Sequence, residues 1–160
     1  LDDASQPFTA VQANDVVFSQ VAGFVRENSQ QKAWITGSTF GWFALPIVST
    51  CVTTDISNAA RKAAAAAGVD LSGYARVIHV FPRNAACGWS GVATVGGSST
   101  DAWVNGRLEI KVVAHELGHN FGLYHAHALD CDRTALAVQT QEVNPITTAM
   151  TSPHTIIAGT

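Results

Sequence analysis

The segment HELGHNFGLYH, from His115 to His125, predicts a helix and the candidate site of this chain of 160 residues. It fits the pattern H-E-x-x-H-x-x-G-x-x-H at every fixed position. On an α-helix with ~100° per residue, His115 and His119 lie about 40° apart around the axis and one turn along it. Both imidazoles therefore reach the same point beside the helix, where they can share a metal ion.

The remaining fixed residues of the segment have separate roles. Glu116 is rotated by ~100° from His115, so it is a poor metal ligand but lies beside the position that the metal would keep open. His125 would point ~240° away from His119 if the helix continued. The chain must therefore turn, and Gly122 is the residue able to adopt the left-handed conformation at the helix end.

Three neutral imidazoles with water as the fourth ligand form the arrangement of a catalytic zinc ion. The sequence therefore predicts one Zn²⁺ on His115, His119 and His125. Zinc would polarise a scissile carbonyl, and Glu116 would take a proton from the zinc-bound water and pass it to the leaving amine. The alternative is a helix whose histidines cap or solvate the surface.

Composition and charge exclude several classes of partner. The formal net charge is -3, 13% of the residues are charged, and no basic cluster is longer than Arg61-Lys62, so we expect no nucleic-acid and no membrane partner. No apolar run approaches the ~18 residues of a membrane span. We expect a monomer with a single domain over residues 1–160, with truncation at its C-terminus left open. We also expect a secreted protein processed from a precursor, whose leader either has been removed or was never part of this sequence.

The three cysteines, Cys51, Cys87 and Cys131, lie far apart and form no C-x-x-C pair, which excludes a cysteine zinc cage. We expect one disulfide and one free thiol. Three pairings remain open, and so does the alternative of three reduced cysteines in a cytosolic protein.

The hydrophobic pattern predicts alternating helices and strands. The predicted helices are Asp15 to Asn28, capped by Asn14 or Asp15, Ile56 to Ala67, capped by Asp55 and stopped by Gly68, and Glu109 to Phe121. The predicted strands are one or two within Ala33 to Leu45, and then Ala75 to Phe81, Gly91 to Val95 and Asp101 to Val104. This order indicates an α/β or α+β sandwich.

The motif with its glycine and third histidine resembles the metzincin clan of zinc peptidases, and the flanking residues resemble the gametolysin (autolysin) family. The segments that carry this resemblance are VDLSGYARVIHVFP, CGWSGVATVGG, AWVNG and VVAHELGHNFGLYHAHALDC, which together span Val69 to Cys131.

The resemblance implies a metzincin-like zincin domain, with a twisted, mostly parallel sheet, an antiparallel edge strand that borders the cleft, a backing helix and an active-site helix. It also implies extracellular protein substrates, such as cell-wall glycoproteins. The family's zinc ligands carry over to His115, His119 and His125, and its general base carries over to Glu116.

The C-terminal part departs from the family pattern. Metzincins place a methionine in a tight turn beneath the metal, and Met150 is the only methionine here. Its neighbours lack the Gly-Asp and Met-Gly character of the family, and Ser152 stands where some metzincins have tyrosine. We expect Met150 to form this turn, with an ordinary buried thioether as the alternative. A truncated domain and a poorly active variant remain open.

Other residues have simpler interpretations. His127 competes with His125 in the pattern, and we expect it at the surface. Glu142 suits a glutamate-type third ligand, which the presence of His125 makes unnecessary. His79 lies in an apolar strand, so it is predicted to be a core histidine. Asp130 or Asp132 is a candidate acceptor for a hydrogen bond from a ligand imidazole. His154 is expected to be an exposed terminal histidine, with stabilisation of the oxyanion as the alternative.

Trp89 and Trp103 either line a substrate cleft along the edge strand or pack beneath the sheet.

Three functions therefore remain. The preferred one is a zinc endopeptidase that hydrolyses extracellular or cell-wall proteins. The second is a catalytically weak zinc-containing domain that binds a cell-surface or matrix partner, and the third is hydrolysis of a non-peptide amide. A structural Ca²⁺ ion stays open, but no pattern in the sequence supports one.

Overall fold

A computed structural model of the chain describes residues 5–125 and the backbone of residues 154–159. The helical elements are α1 (Ala10–Asp15), a π-helical stretch (Val16–Val21), α2 (Ala22–Asn28), α3 (Thr53–Ala66) and α4 (Ile110–Asn120). The strands are β1 (Gly37–Phe43), β2 (Arg76–Phe81), β3 (Gly91–Ala93), β4 (Thr100–Asn105) and β5 (His154–Gly159). The predicted mixture of helices and strands is confirmed.

The strands form one mixed sheet in the order β1-β5-β2-β4-β3. The pairs β1 with β5, β5 with β2, and β2 with β4 are parallel, whereas β3 runs antiparallel to β4 at the edge. A mostly parallel sheet with an antiparallel edge strand is therefore present.

Strand β5 was not predicted. The segment His154–Gly159 pairs with both β1 and β2 inside the sheet. Its sequence, HTIIAG, offers only a short apolar run, which is too weak to identify a strand without its neighbours. The side chain of His154 lies outside the described residues.

Alternating side chains of β2 divide the molecule into two layers around the sheet. Ile78 and Val80 belong to the core shared with the N-terminal helices and α4. Val77 packs with small residues of α3 such as Ala60 on the opposite face. Helix α4, which carries the histidine motif, therefore packs through buried apolar side chains against one face of the sheet.

The N-terminal helix begins earlier than predicted. Thr9 is the N-cap: its hydroxyl oxygen accepts from the amide of Gln12 at 3.1 Å, and the Gln12 side chain accepts from the amide of Thr9 at 2.8 Å. This reciprocal capping box satisfies two amides that the first turn leaves free. The prediction of a cap at Asn14 or Asp15 was wrong because the competing T-x-x-Q signal lies upstream.

The other two helices are close to their predicted bounds. Helix α3 starts at Thr53, so Asp55 lies in its first turn rather than at its cap. Gly68 follows its end with a φ of 81°, as a helix stop requires. Helix α4 lies within one residue of its prediction at both ends.

A disulfide joins Cys51 to Cys87, which selects one of the three open pairings. The bridge closes a loop of 36 residues, and it ties the entry of α3 to the loop that leads into β3. Cys131 lies outside the described residues, so its state as a free thiol stays a prediction.

Candidate metal centre

Three imidazoles converge beside α4. The Nε2 atoms of His115, His119 and His125 are each 3.1 Å from the other two. The first two come from successive turns of the helix, and His125 follows its end. The structure therefore brings together all three histidines that the sequence selected, in a group whose ring atoms could hold a metal ion.

The helix end redirects the chain towards this group. The amide of Gly122 donates to the carbonyl of His119 at 2.8 Å, and the amide of Leu123 donates to the carbonyl of Gly118 at 2.9 Å. These two bonds form a Schellman motif, in which the residue at the turn adopts a left-handed conformation. Gly122 does so with a φ of 92°, as the sequence predicted.

The same turn orients one imidazole. His119 Nδ1 lies 2.7 Å from the carbonyl oxygen of Leu123. Because a carbonyl can only accept, Nδ1 carries the proton and Nε2 of the neutral ring presents its lone pair to the cluster. Histidine ligands of metals commonly donate their other N–H in this way.

The donor set fits zinc. Four ligands at the usual Zn–N distance of about 2.0–2.1 Å in a tetrahedron lie about 3.3–3.4 Å apart. The observed separations of 3.1 Å are close to that value. Burial, together with the neighbouring His119 and His125, lowers the pKa of His115, which favours the neutral form that binds a metal.

Glu116 lies beside the cluster in a confined space. Its side chain is 6% exposed, although His115 on the same helix is exposed. Burial raises the pKa of Glu116, and the neighbouring His119 opposes this change. Gly91 in the edge strand borders this side chain, because a Cβ added to Gly91 would meet Oε1, Cγ and Cδ of Glu116.

The edge strand β3 presents backbone groups on the side where no described strand pairs with it. Asn105 donates its amide to the carbonyl of Ser90, and Thr94 donates to the carbonyl of Asp101. In an antiparallel ladder the hydrogen-bonded residues alternate with residues that point away. With Gly91 paired opposite Val104, the amides and carbonyls of Gly91 and Ala93 therefore point away from β4.

The end of α4 is held against this strand. Asn120 is 1% exposed, and its side-chain amide donates to the carbonyl of Thr94 at 2.9 Å and to that of Asp101 at 3.0 Å. The amide of Gly96 donates to the carbonyl of His119 at 2.9 Å. These hydrogen bonds join α4 to the edge strand β3.

The two tryptophans near the edge strand pack beneath the sheet. Trp103 is buried with Ile56 and Phe81, and its indole donates to Ser57 at 3.1 Å. Trp89 packs edge-on against Phe81 with ring centroids 6.0 Å apart. Both therefore lie on the face opposite α4, which favours packing over a role in the cleft.

His79 is a core histidine, as predicted. It is 1% exposed, stacks on Trp103, and its Nε2 lies 3.0 Å from Asp101, which also binds Arg61. Burial lowers the pKa of His79 against the opposing effect of Asp101. Burial tends to raise the pKa of Asp101, but hydrogen bonds and charge interactions with His79 and Arg61 outweigh it, so the pKa is lowered.

Several candidates from the sequence lie outside the described residues, so their roles stay predictions. They are His127, Asp130, Asp132, Glu142 and Met150.

A cavity of about 950 Å³ among the described residues is lined by none of the three histidines. It is lined by residues of α3, such as Ala63, and of the segment after β1, such as Ile47. It lies on the sheet face opposite α4 and contributes nothing to the metal centre. Among the described helices, none has the length and apolar character needed to cross a membrane.

Sequence reasoning missed three residues that organise the site, namely Gly91, Asn105 and Asn120. The sequence pattern identifies Gly91 only as the start of a strand, although a glycine within a strand often marks a close approach of two segments. The two asparagines are almost fully buried, at 0% and 1% exposure. Their hydrogen-bond partners are backbone carbonyls distant in sequence, so no local sequence pattern predicts that these asparagines organise the site.

Comparison with known families agrees with this geometry. A family model described as gametolysin peptidase M11 matches residues 7–133. The chain therefore belongs to the gametolysin family of metallopeptidases, as its motifs suggested. No curated protein and no solved structure matches the chain significantly.

Proposed function

We propose that this chain is a zinc-dependent endopeptidase with a metzincin-like catalytic domain spanning residues 1–160. His115, His119 and His125 would hold one Zn²⁺, and Glu116 would be the general base. The observation that carries the proposal is the triangle of Nε2 atoms with sides of 3.1 Å beside a buried carboxylate. Membership in a peptidase family supports the same reaction.

When bound, zinc supplies a Lewis acid that polarises the scissile carbonyl and activates water. Glu116 takes a proton from the attacking water and then delivers it to the nitrogen of the leaving amine. Its buried position excludes bulk water and favours the return of the proton to the substrate. Leu123 keeps His119 in the tautomer that presents Nε2.

The substrate would bind in extended form along β3. The outward amides and carbonyls of Gly91 and Ala93 can pair with a peptide by strand addition. Since Gly91 also borders Glu116, a peptide on this edge would bring its backbone next to the general base. This arrangement suits cleavage within a chain rather than recognition of a terminus.

The proposed substrates are extracellular or cell-wall proteins, and the proposed location is outside the cell. The disulfide between Cys51 and Cys87 supports an oxidising compartment. Met150 is proposed to lie in a turn beneath the metal, in line with the family resemblance. We expect the enzyme to act as a monomer.

A matched pair of glutamate variants tests the proposal. Glu116→Gln should retain one zinc per chain but lower kcat for an unfolded protein substrate by about 10²–10⁴-fold. Glu109→Gln changes an exposed glutamate at the start of the same helix and should cleave like the wild type. A chelator should abolish activity, and added zinc should restore it.

The competing function is a catalytically weak zinc-containing domain that binds a surface or matrix partner. A wild type that holds zinc but cleaves neither unfolded protein nor cell-wall glycoprotein would favour this competitor. Cleavage that survives in Glu116→Gln would contradict the assignment of the base.

A further inference from the structure

We propose that Gly91 is a positioning residue for Glu116, because its missing side chain provides the space that the carboxylate occupies. This inference rests on the proposed role of Glu116. A Cβ on Gly91 would lie 2.7 Å from Cγ and 2.8 Å from Cδ of Glu116, and it would also meet Oε1. Real Cβ atoms essentially never approach other heavy atoms so closely, so a side chain at position 91 must displace something.

The strand cannot readily retreat from this contact. Asn105, which is 0% exposed, donates its side-chain amide to the carbonyl of Trp89 at 2.9 Å and its backbone amide to that of Ser90 at 2.9 Å. Two residues before Trp89, Cys87 is tied to Cys51 by the disulfide. The backbone is therefore anchored immediately before Gly91.

The helix is equally constrained. Val113 and Leu117 on the inner face of α4 are 1% and 0% exposed, so a shift of the helix would disturb the close-packed core. The side chain of Glu116 can instead rotate about its own bonds. An added methyl group at position 91 would therefore move the carboxylate away from the site and leave the fold in place.

The backbone itself gives no reason for glycine at this position. Gly91 is not among the residues with positive φ, so an alanine can adopt its conformation. Glycine in a strand is otherwise unfavourable because it loses conformational freedom and has no side chain to pack. Proximity to Glu116 accounts for the glycine, whereas backbone strain does not.

A pair of glycine variants separates this role from general disturbance of the loop. Gly91→Ala should lower kcat by about 100-fold, the scale expected for a catalytic group displaced by about 1 Å, with zinc content retained and KM changed far less. Gly88→Ala is the control, because a Cβ there meets nothing within 4 Å and the backbone φ is not positive. A kcat for Gly91→Ala equal to that of Gly88→Ala would overturn the proposal.

A second measurement does not depend on activity. The midpoint of thermal unfolding is compared for Gly91→Ala in the wild-type background and in the Glu116→Ala background, both loaded with zinc. If the added methyl meets Glu116, its effect on the midpoint should differ by at least about 2 °C between the two backgrounds and be neutral or favourable in the second. Folding of the double variant where Gly91→Ala alone fails to fold would also support the contact.

Equal changes of the unfolding midpoint in both backgrounds would overturn the proposed contact between Gly91 and Glu116. Failure of both the single and the double variant to fold would also overturn it. If the wild type cleaves nothing, the proposed function fails, and the unfolding comparison alone then decides whether Gly91 makes room for Glu116.

Discussion

The carbonyl oxygen of Leu123 lies 2.7 Å from Nδ1 of His119, so the turn that ends α4 also sets the tautomer of a candidate metal ligand. Two functions thus depend on the left-handed conformation of Gly122. It closes the helix, and it brings both the Leu123 carbonyl and His125 back towards the metal centre.

Replacement of Gly122 should therefore weaken metal binding. Gly122→Ala introduces no steric contact within 4 Å, so its effect comes from a φ of 92° that L-residues rarely adopt. We expect a stability loss of about 1–2 kcal/mol and a zinc affinity reduced by about 10–100-fold. Competition with a chromogenic chelator measures the affinity.

The control for this variant is Gly68→Ala. Gly68 ends α3 with a φ of 81° and also has open space around its Cβ, but it is remote from the histidines. It should lose similar stability and keep its zinc affinity. Equal zinc affinities for the two variants would contradict the role assigned to the Gly122 turn.

The disulfide between Cys51 and Cys87 should contribute a large part of the free energy of unfolding. Closing a loop of 36 residues is expected to stabilise the fold by about 2–4 kcal/mol. Replacing both Cys51 and Cys87 by alanine should lower the free energy of unfolding by that amount in urea titrations. Cys131→Ala should leave it nearly unchanged, and a reducing agent should affect the wild type but not the double variant.

His79 should make stability depend on pH. Because burial lowers its pKa, the folded state binds fewer protons at this site than the unfolded state, whose histidine titrates near ~6.5. Stability should therefore fall as the pH drops below about 6.5, by at most about 1.4 kcal/mol per pH unit.

Urea unfolding at pH 7.5 and 5.5, with a chelator present, isolates this effect from metal binding. His79→Gln keeps a donor for Asp101 but does not titrate, so its stability should change less between the two pH values. Parallel pH profiles for the wild type and the variant would show that His79 is not the group responsible.

The backbone groups of β3 that point away from β4 should contribute to substrate binding, so changing them should affect KM. Ala93→Pro removes an amide that points away from β4, so it breaks no bond of the sheet, and edge strands tolerate proline. We expect KM to rise by about 10-fold, the equivalent of one hydrogen bond, with zinc content retained. Steady-state kinetics on an unfolded protein measure this, and an unchanged KM would exclude peptide pairing at Ala93.

Helix α4 could be predicted within one residue because its signals are local. The histidine spacing, the glycine at its end and the apolar positions all repeat with the helical period, so neighbouring residues suffice to define it. The mixed order of helices and strands could also be predicted from the sequence. Strand β5 was not, because three apolar residues in HTIIAG acquire strand geometry only between β1 and β2.

The three histidines, the glutamate beside them and the glycine that turns the chain back towards them could all be selected from the sequence, because a helix and its end depend on short-range geometry. The pairing of Cys51 with Cys87 and the position of Gly91 beside Glu116 became evident only in the folded chain. These relationships join segments distant along the chain, and packing rather than local conformation brings them together.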